Sequence, residues 1–576
     1  MGAPRQAALT PHDVGTSRQR AKGTPPAPRF AAFWLGTACA ALLAGSVSAA
    51  PNEAEAPPPP VAVEASAPQP LAADLGLPAL PDVPLAFTEA DRLQGAISAR
   101  LAETLRNVSP RLPKREREAI QAYYEAANHA PLWVRDGAWT AAANGVIARL
   151  KEAGEDGLDA ADYPIPAVAN TKDAPAADWA EAEIRLSAAA VLYARDARGG
   201  RIDPTRLSAY LTPTLTLPAA DAVLQRLAAA TDPNAALAAY NPQHAGYQAL
   251  KRKLVEIRET RPATPMVRVP DGKPLRVGMR DPRASLIRAR FGMEPTGQDD
   301  TAYDERLASA VAAFQKEHGL KASGVLDKAT VAALSGPSPA RLEGDLIANM
   351  ERWRWLPETL GERHIFVNIP EYRLRLFDKG DMVHQTRVVV GKLESQTPIF
   401  SDEMEYVIVN PSWTIPPSIM KNEILPGLAR DPSYAARRGY EVIVRNGRMT
   451  VRQPPGERNA LGYVKFIFPN NHAVYLHDTP SRHLFAREQR AFSHGCVRVD
   501  QPFRLAEAVL QVQGDWSEAK LRGLIGKGER HLRLKDRLPV HLSYFTLAVD
   551  ESGQLKSFSD LYGHNARVRE ALGLPG

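Results

Sequence analysis

The chain has 576 residues, 44% of them hydrophobic and 24% charged. These are ordinary globular values, and the length is too great for one core, so roughly two to four domains are expected. The formal charge is +6, but residues 1–50 carry four of those charges, so the rest is close to balance. No block of Lys and Arg with interleaved aromatics follows, and no nucleic-acid partner is expected.

Residues 1–49 have the layout of an export signal. A basic stretch (Arg18, Arg20, Lys22, Arg29) precedes an apolar run from Phe30 to Gly45, and small residues at Val47 and Ala49 suit cleavage after Ala49. The alternative is a retained membrane anchor, for which the run is short. Residues 50–85 are rich in Pro and Ala, with Pro57 to Pro60 consecutive, and predict a semi-rigid linker. Export bears on the cysteines. Only Cys39 and Cys496 are present, and Cys39 lies in the apolar run. Removing the signal leaves a lone thiol in an oxidising compartment, where cysteines usually pair. Catalysis would account for it; an inert buried cysteine is the alternative.

Residues 86–270 predict a helical domain. Alanine-rich text such as 176–197 repeats apolar residues at three- and four-residue spacing, and Gly199, Gly200 and Pro204 interrupt it. Residues 271–337 form a smaller unit with helices expected over 302–319 and 328–334. Val311, Phe314 and Leu320 set its apolar stripe, Gly319 stops the first helix and Asp327 caps the second. Its text Ala313-Phe314-Gln315-Lys316-Glu317-His318-Gly319-Leu320, then Gly324-Val325-Leu326-Asp327, resembles a small three-helix peptidoglycan-binding domain. Residues 338–362 are expected to be a helical connector.

After residue 363 the period changes to two. Strands are expected over 364–369, 372–377, 383–390, 404–409, 441–444, 464–468 and 473–476, with a hairpin turn at Lys379-Gly380-Asp381. Many short strands with turn signals predict a β-sandwich or barrel over 363–528. The Pro-, Gly- and Arg-rich segment at about 416–462 reads as an inserted lid. Residues 529–576 are read as a C-terminal extension.

The chemistry concentrates in Ser493-His494-Gly495-Cys496-Val497-Arg498, preceded by Tyr475-Leu476-His477-Asp478. A thiol attacks as thiolate and needs a base to make it. His477, at a strand end, is the candidate base; His494 competes but sits in a tight turn. Gly495 permits positive φ before the nucleophile, and the amides at 495 and 496 are candidate oxyanion donors. Tyr475 shares the His477 face and is a candidate oxyanion donor or groove residue. Arg498 shares the parity of Cys496 and either binds a substrate carboxylate or forms a structural ion pair. Trp413 is either groove wall or core.

This arrangement resembles the L,D-transpeptidase family with its YkuD-type catalytic domain. His477 and Ser493-His494-Gly495-Cys496 match the family pattern. Val390-Gly391-Lys392 with Thr397-Pro398, and Asn410-Pro411-Ser412-Trp413 with Ile415-Pro416, match it further. The resemblance is to large members with a helical scaffold and an inserted peptidoglycan-binding domain. It implies a multidomain α+β chain whose catalytic domain is mainly β. Cys496 would be the nucleophile and His477 the base, with Ser493, His494, Gly495 and Tyr475 shaping the site. Substrate contact would fall to Arg498 and Trp413. No metal or cofactor is implied. The substrates would be donor and acceptor stem peptides of peptidoglycan, joined 3→3 with release of D-alanine. The same Cys-His chemistry with water would make an L,D-carboxypeptidase or endopeptidase, and with a protein lysine a wall-tethering enzyme. Envelope proteins are thus alternative acceptors, and a D,D-carboxypeptidase would supply the tetrapeptides. The remaining alternative is a non-catalytic wall-binding protein. The place of action would be the periplasm or cell envelope.

Overall fold

A computed structural model describes residues 88–168, 174–260, 269–295, 297, 300–334 and 338–575. The expected signal and the whole of the expected linker lie outside the described residues. Among those described, no helix is long and apolar enough to cross a membrane.

The helical expectation for the first domain holds, with one addition. Helices Glu89–Arg106, Lys114–Ala126, Ala141–Lys151, Ala220–Ala229 and Ala245–Glu259 surround or flank a central helix, Ala176–Gly199. Most side chains of that central helix are buried, because its alanines let neighbours approach on several sides. It ends at Gly200, whose φ is +87°. The first helix starts on a Thr88/Asp91 capping box, a device worth about 1 kcal/mol. A short hairpin pairs Val134–Arg135 with Ala138–Trp139, so the domain is not wholly helical. The peptide amides of Leu132 and Trp133, just before its first strand, donate to buried Glu183, which fixes the hairpin on the central helix.

The small unit has helices Arg283–Arg290, Glu305–Glu317 and Lys328–Leu334 around Leu275, Ile287, Leu307, Val311 and Leu326. Asp327 caps the last of these through the amide of Thr330, as its position predicts. Helix Pro339–Trp353 is the connector. It reaches both the helical domain and the chain's last segment: Asn349 Oδ1 accepts from the amides of Thr546 and Leu547, and Arg352 donates to Asn565.

The remaining core is one nine-stranded sheet. Its strands are β1 (Arg363–Asn368), β2 (Arg373–Asp378), β3 (Asp381–Gly391), β4 (Phe400–Val409), β5 (Val464–Ile467), β6 (Leu476–His477), β7 (Ala491–Ser493), β8 (Val497–Val499) and β9 (Arg530–Ser543). The spatial order is β7-β3-β8-β6-β5-β4-β9-β1-β2, and β2 also pairs with β3. That last pairing closes the sheet on itself, so the two layers of the expected sandwich are continuous. The interior is filled by Val464, Phe466, Leu476, Val497, Leu374 and Val407 and by helix Pro502–Leu510.

Two expectations shift. The strand expected at 441–444 does not continue the main sheet. It forms a separate three-stranded sheet with Trp413–Thr414 and Arg448–Gln453 inside the inserted segment. Residues 530–543, read as the start of an extension, form the longest strand and lie between β4 and β1. Its charged, interrupted text (Arg530, Arg533, Lys535, Asp536, Arg537) masks the strand signal, because the exposed half of a long strand has no core to match.

Candidate active site

The site lies on the outer face of β5, β6 and β8. Strand register puts Lys465 opposite His477, and His477 opposite Arg498. Alternation then places Val464, Phe466, Leu476 and Val497 on the core face and the three polar side chains on the other. Tyr475 and Cys496 sit two residues back along the same face. The Tyr475 and His477 rings are 5.6 Å apart, edge to face.

Cys496 follows a turn made possible by Gly495, whose φ is +112° and where an added Cβ would come within 3.3 Å of the Gln396 carbonyl. The turn is tied internally. Ser493 Oγ donates to the Cys496 carbonyl and accepts from the Gly495 amide at 3.1 Å. This corrects one expectation: the Gly495 amide is already engaged and is not an oxyanion donor. The Cys496 amide donates to no protein group among the described residues. The Tyr475 hydroxyl, which hydrogen-bonds the Cys496 thiol, is the second candidate donor.

His477 Nδ1 donates to the main-chain carbonyl of Asp478, which leaves Nε2 unprotonated and able to accept. The Asp478 carboxylate points elsewhere. It accepts from the amides of Tyr463 and Thr479 and from Arg482, as a strand residue facing away from His477 would. Burial, with Arg498 and Lys465 nearby, pushes the imidazole down to about 3. Burial pushes the Cys496 thiol up, against the opposing pull of Tyr475, Lys465 and Arg498. Burial thus disfavours the charged form of both groups. Alkylation of Cys496 by iodoacetamide should accordingly keep rising with pH beyond about 8.5, the ordinary thiol value. A plateau between about pH 4 and 7, as a preformed thiolate would give, would contradict this. The Tyr475 hydroxyl is held well above its ordinary range by burial, so it serves as a donor and not as a base.

Four further residues join the site, and of these only Thr397 falls in a motif matched above. Lys465 lies with Nζ 3.9 Å from the Tyr475 ring centre. Glu423, in the inserted segment, accepts from His494 Nε2 at 2.8 Å, so His494 links the nucleophile turn to the lid. Thr397 donates to the Gly495 carbonyl at 2.8 Å and accepts from the Gly391 amide. Tyr562, near the chain's end, donates to the Gly391 carbonyl at 2.6 Å and accepts from the Thr397 amide. Gly391 is required there, since a Cβ would lie 2.1 Å from the Ser395 carbonyl. Tyr562→Phe leaves a buried donor and a buried acceptor unpaired. A loss of about 1–3 kcal/mol in unfolding free energy is expected, with a lower kcat as the Gly495 turn loosens. Denaturant unfolding together with steady-state kinetics checks both. Trp413 packs against the apolar cluster of the inserted segment (Ile415, Ile424, Val451), with its indole N–H toward the Tyr475 hydroxyl. Among the described residues, no group of three or more His, Cys, Asp or Glu side chains is placed to hold a metal.

With this geometry in view, comparisons place the chain. Residues 362–525 match the profile of the YkuD L,D-transpeptidase catalytic domain, 285–334 that of a peptidoglycan-binding domain and 118–254 that of a scaffold domain. The chain therefore carries a YkuD-type catalytic domain with a helical scaffold and a peptidoglycan-binding domain, in a multidomain α+β architecture. A Haemophilus influenzae protein provisionally assigned as an L,D-transpeptidase is 33% identical over 244 residues, covering 39% of this chain and 49% of that one. The chain thus spans about half the length of that relative. Solved L,D-transpeptidases from Mycobacterium smegmatis (12% identity, 32% of this chain and 58% of that one, TM-score 0.17) and Xylanimonas cellulosilytica (16%, 47% and 98%, 0.15) were also found.

Proposed function

We propose that the chain is an L,D-transpeptidase of the cell envelope that forms 3→3 peptidoglycan cross-links through Cys496. The observation that carries this reading is one thiol, on a tied glycine turn, on the strand next to a histidine whose tautomer a carbonyl sets. His477 Nε2 takes the thiol proton as Sγ attacks the carbonyl of the third residue, a diamino acid, in a tetrapeptide donor. The Cys496 amide and the Tyr475 hydroxyl receive the developing oxyanion. The carbon–nitrogen bond to D-alanine then breaks, the proton passes from His477 to the leaving amine, and a thioester remains. An amine of a second stem attacks the thioester, His477 accepts its proton, and the thiol is restored. Arg498 and the Trp413 indole bind donor groups, and the segment carrying Glu423 closes over them.

Signal-directed export to the periplasm, with tetrapeptides supplied by a D,D-carboxypeptidase, completes the reading. The test is mass spectrometry of products from purified protein and a defined disaccharide-tetrapeptide. Dimers lacking one D-alanine are expected. Tripeptide monomers alone would make water the acceptor and the chain a carboxypeptidase. Unaltered substrate would refute the proposal and leave wall binding as the activity.

A further inference from the structure

Lys465 is the residue at this site that the chemistry above does not use. It stands beside His477 on one side as Arg498 stands on the other, on three adjacent strands. Neither cation makes an ion pair among the described residues. Arg498 Nε is buried without a partner. The groups acting on Lys465 are the Cys496 thiol and then Glu529, whose oxygens are taken by the Ser412 amide at 2.6 Å and by His531 at 2.8 Å. Lys465 instead rests its ammonium on the Tyr475 ring, and Tyr475 in turn contacts the thiol. The site thus holds two half-buried positive charges, and the one carboxylate acting on Lys465 is already engaged by other donors. Desolvated cations without counter-charge are costly, and the cost is recovered only when a ligand brings the anion.

We infer that Lys465 is a specificity-determining residue that receives the α-carboxylate of the donor's C-terminal residue, so that the site reads the end of the chain. This rests on the proposed function and deepens it. The position follows from the chemistry. The leaving amine must reach His477 to take its proton. The carboxylate of that same amino acid is separated from the leaving nitrogen by a single carbon. A cation next to His477 is therefore placed to meet it, and Lys465 is the one of the two there that the proposed reaction leaves unused. A donor with one more residue would present a neutral amide at that point, and the lysine would stay unpaired.

The test compares two synthetic donors, one ending in D-alanine and one in D-alaninamide, by release of the terminal residue. For the wild type, kcat/KM should fall about ten- to a hundredfold on the amide, the scale of one charge-assisted hydrogen bond. Lys465→Met should lose most activity on the acid through KM, with the acid-to-amide ratio collapsing to within about threefold, near the limit of a resolvable difference. Lys465→Arg should restore the ratio. A Lys465→Met enzyme that keeps the wild-type ratio overturns the inference, as does one that loses kcat equally on both donors. If Lys465→Met fails to fold, an Arg variant with unchanged discrimination supports the assignment, and one that no longer distinguishes the donors overturns it. Failure of the wild type to release either terminal residue would instead overturn the proposed function.

Discussion

Cys496→Ala is expected to lower D-alanine release from a tetrapeptide donor by more than about 10⁴-fold, the scale seen when a covalent nucleophile is removed. No neighbouring group can replace it. Ser493 spends its hydroxyl holding the turn, and Tyr475 is held protonated. The variant should fold normally, because the turn is closed by Ser493, Gly495 and Thr397 and not by the sulfur. It should also fail to gain the mass of a carbapenem adduct. Retained release or acylation by the variant would refute the nucleophile assignment. Cys496→Ser tests the same point more gently. It keeps the hydrogen-bonding atom but substitutes a far weaker nucleophile, which neutral His477 can activate only poorly.

The largest effect on stability should come from Arg354→Met. Arg354 is fully buried where the connector meets the helical domain. Its Nη2 donates to the Asp156 carbonyl at 2.6 Å, to Tyr247 at 2.8 Å and to Asn241 at 3.1 Å, and Nη1 lies 3.7 Å from Glu351. Glu351 in turn accepts from the amides of Arg201 and Ile202. Removing the cation leaves a buried carboxylate without its charge partner and several acceptors unpaired. A loss of about 3–5 kcal/mol is expected. Denaturant unfolding followed by tryptophan fluorescence measures it; a change under about 1 kcal/mol would mean that water replaces the guanidinium. The methionine fills most of the volume, so the loss reports charge and hydrogen bonding and not a cavity.

Parts of the site were legible because they are local. Gly495 before Cys496, the strand-end position of His477 and the outward turn of Asp478 all follow from residue type and a two-residue period. The cap at Asp327 was legible for the same reason, since the donor and acceptor lie within one turn. An inserted segment was legible from its composition, but the strand expected at 441–444 was assigned to the wrong sheet, because alternation identifies a strand and not its neighbour.

The sequence alone determined the kinds of domain, the residues of the Cys-His motif and which side chains share a strand face, since each depends on neighbours in the chain. Only the tertiary structure decided what stands beside them. Lys465 meets His477 through the register of β5 on β6, Glu423 reaches His494 across the lid, and Tyr562 closes on Gly391 and Thr397 from the far end of the chain. Register and closure are set by burying the whole core face at once, so no single stretch of sequence encodes them. The same cause accounts for the Gly495 amide. Its identity was readable, but its engagement with Ser493 depended on how tightly the folded turn is drawn.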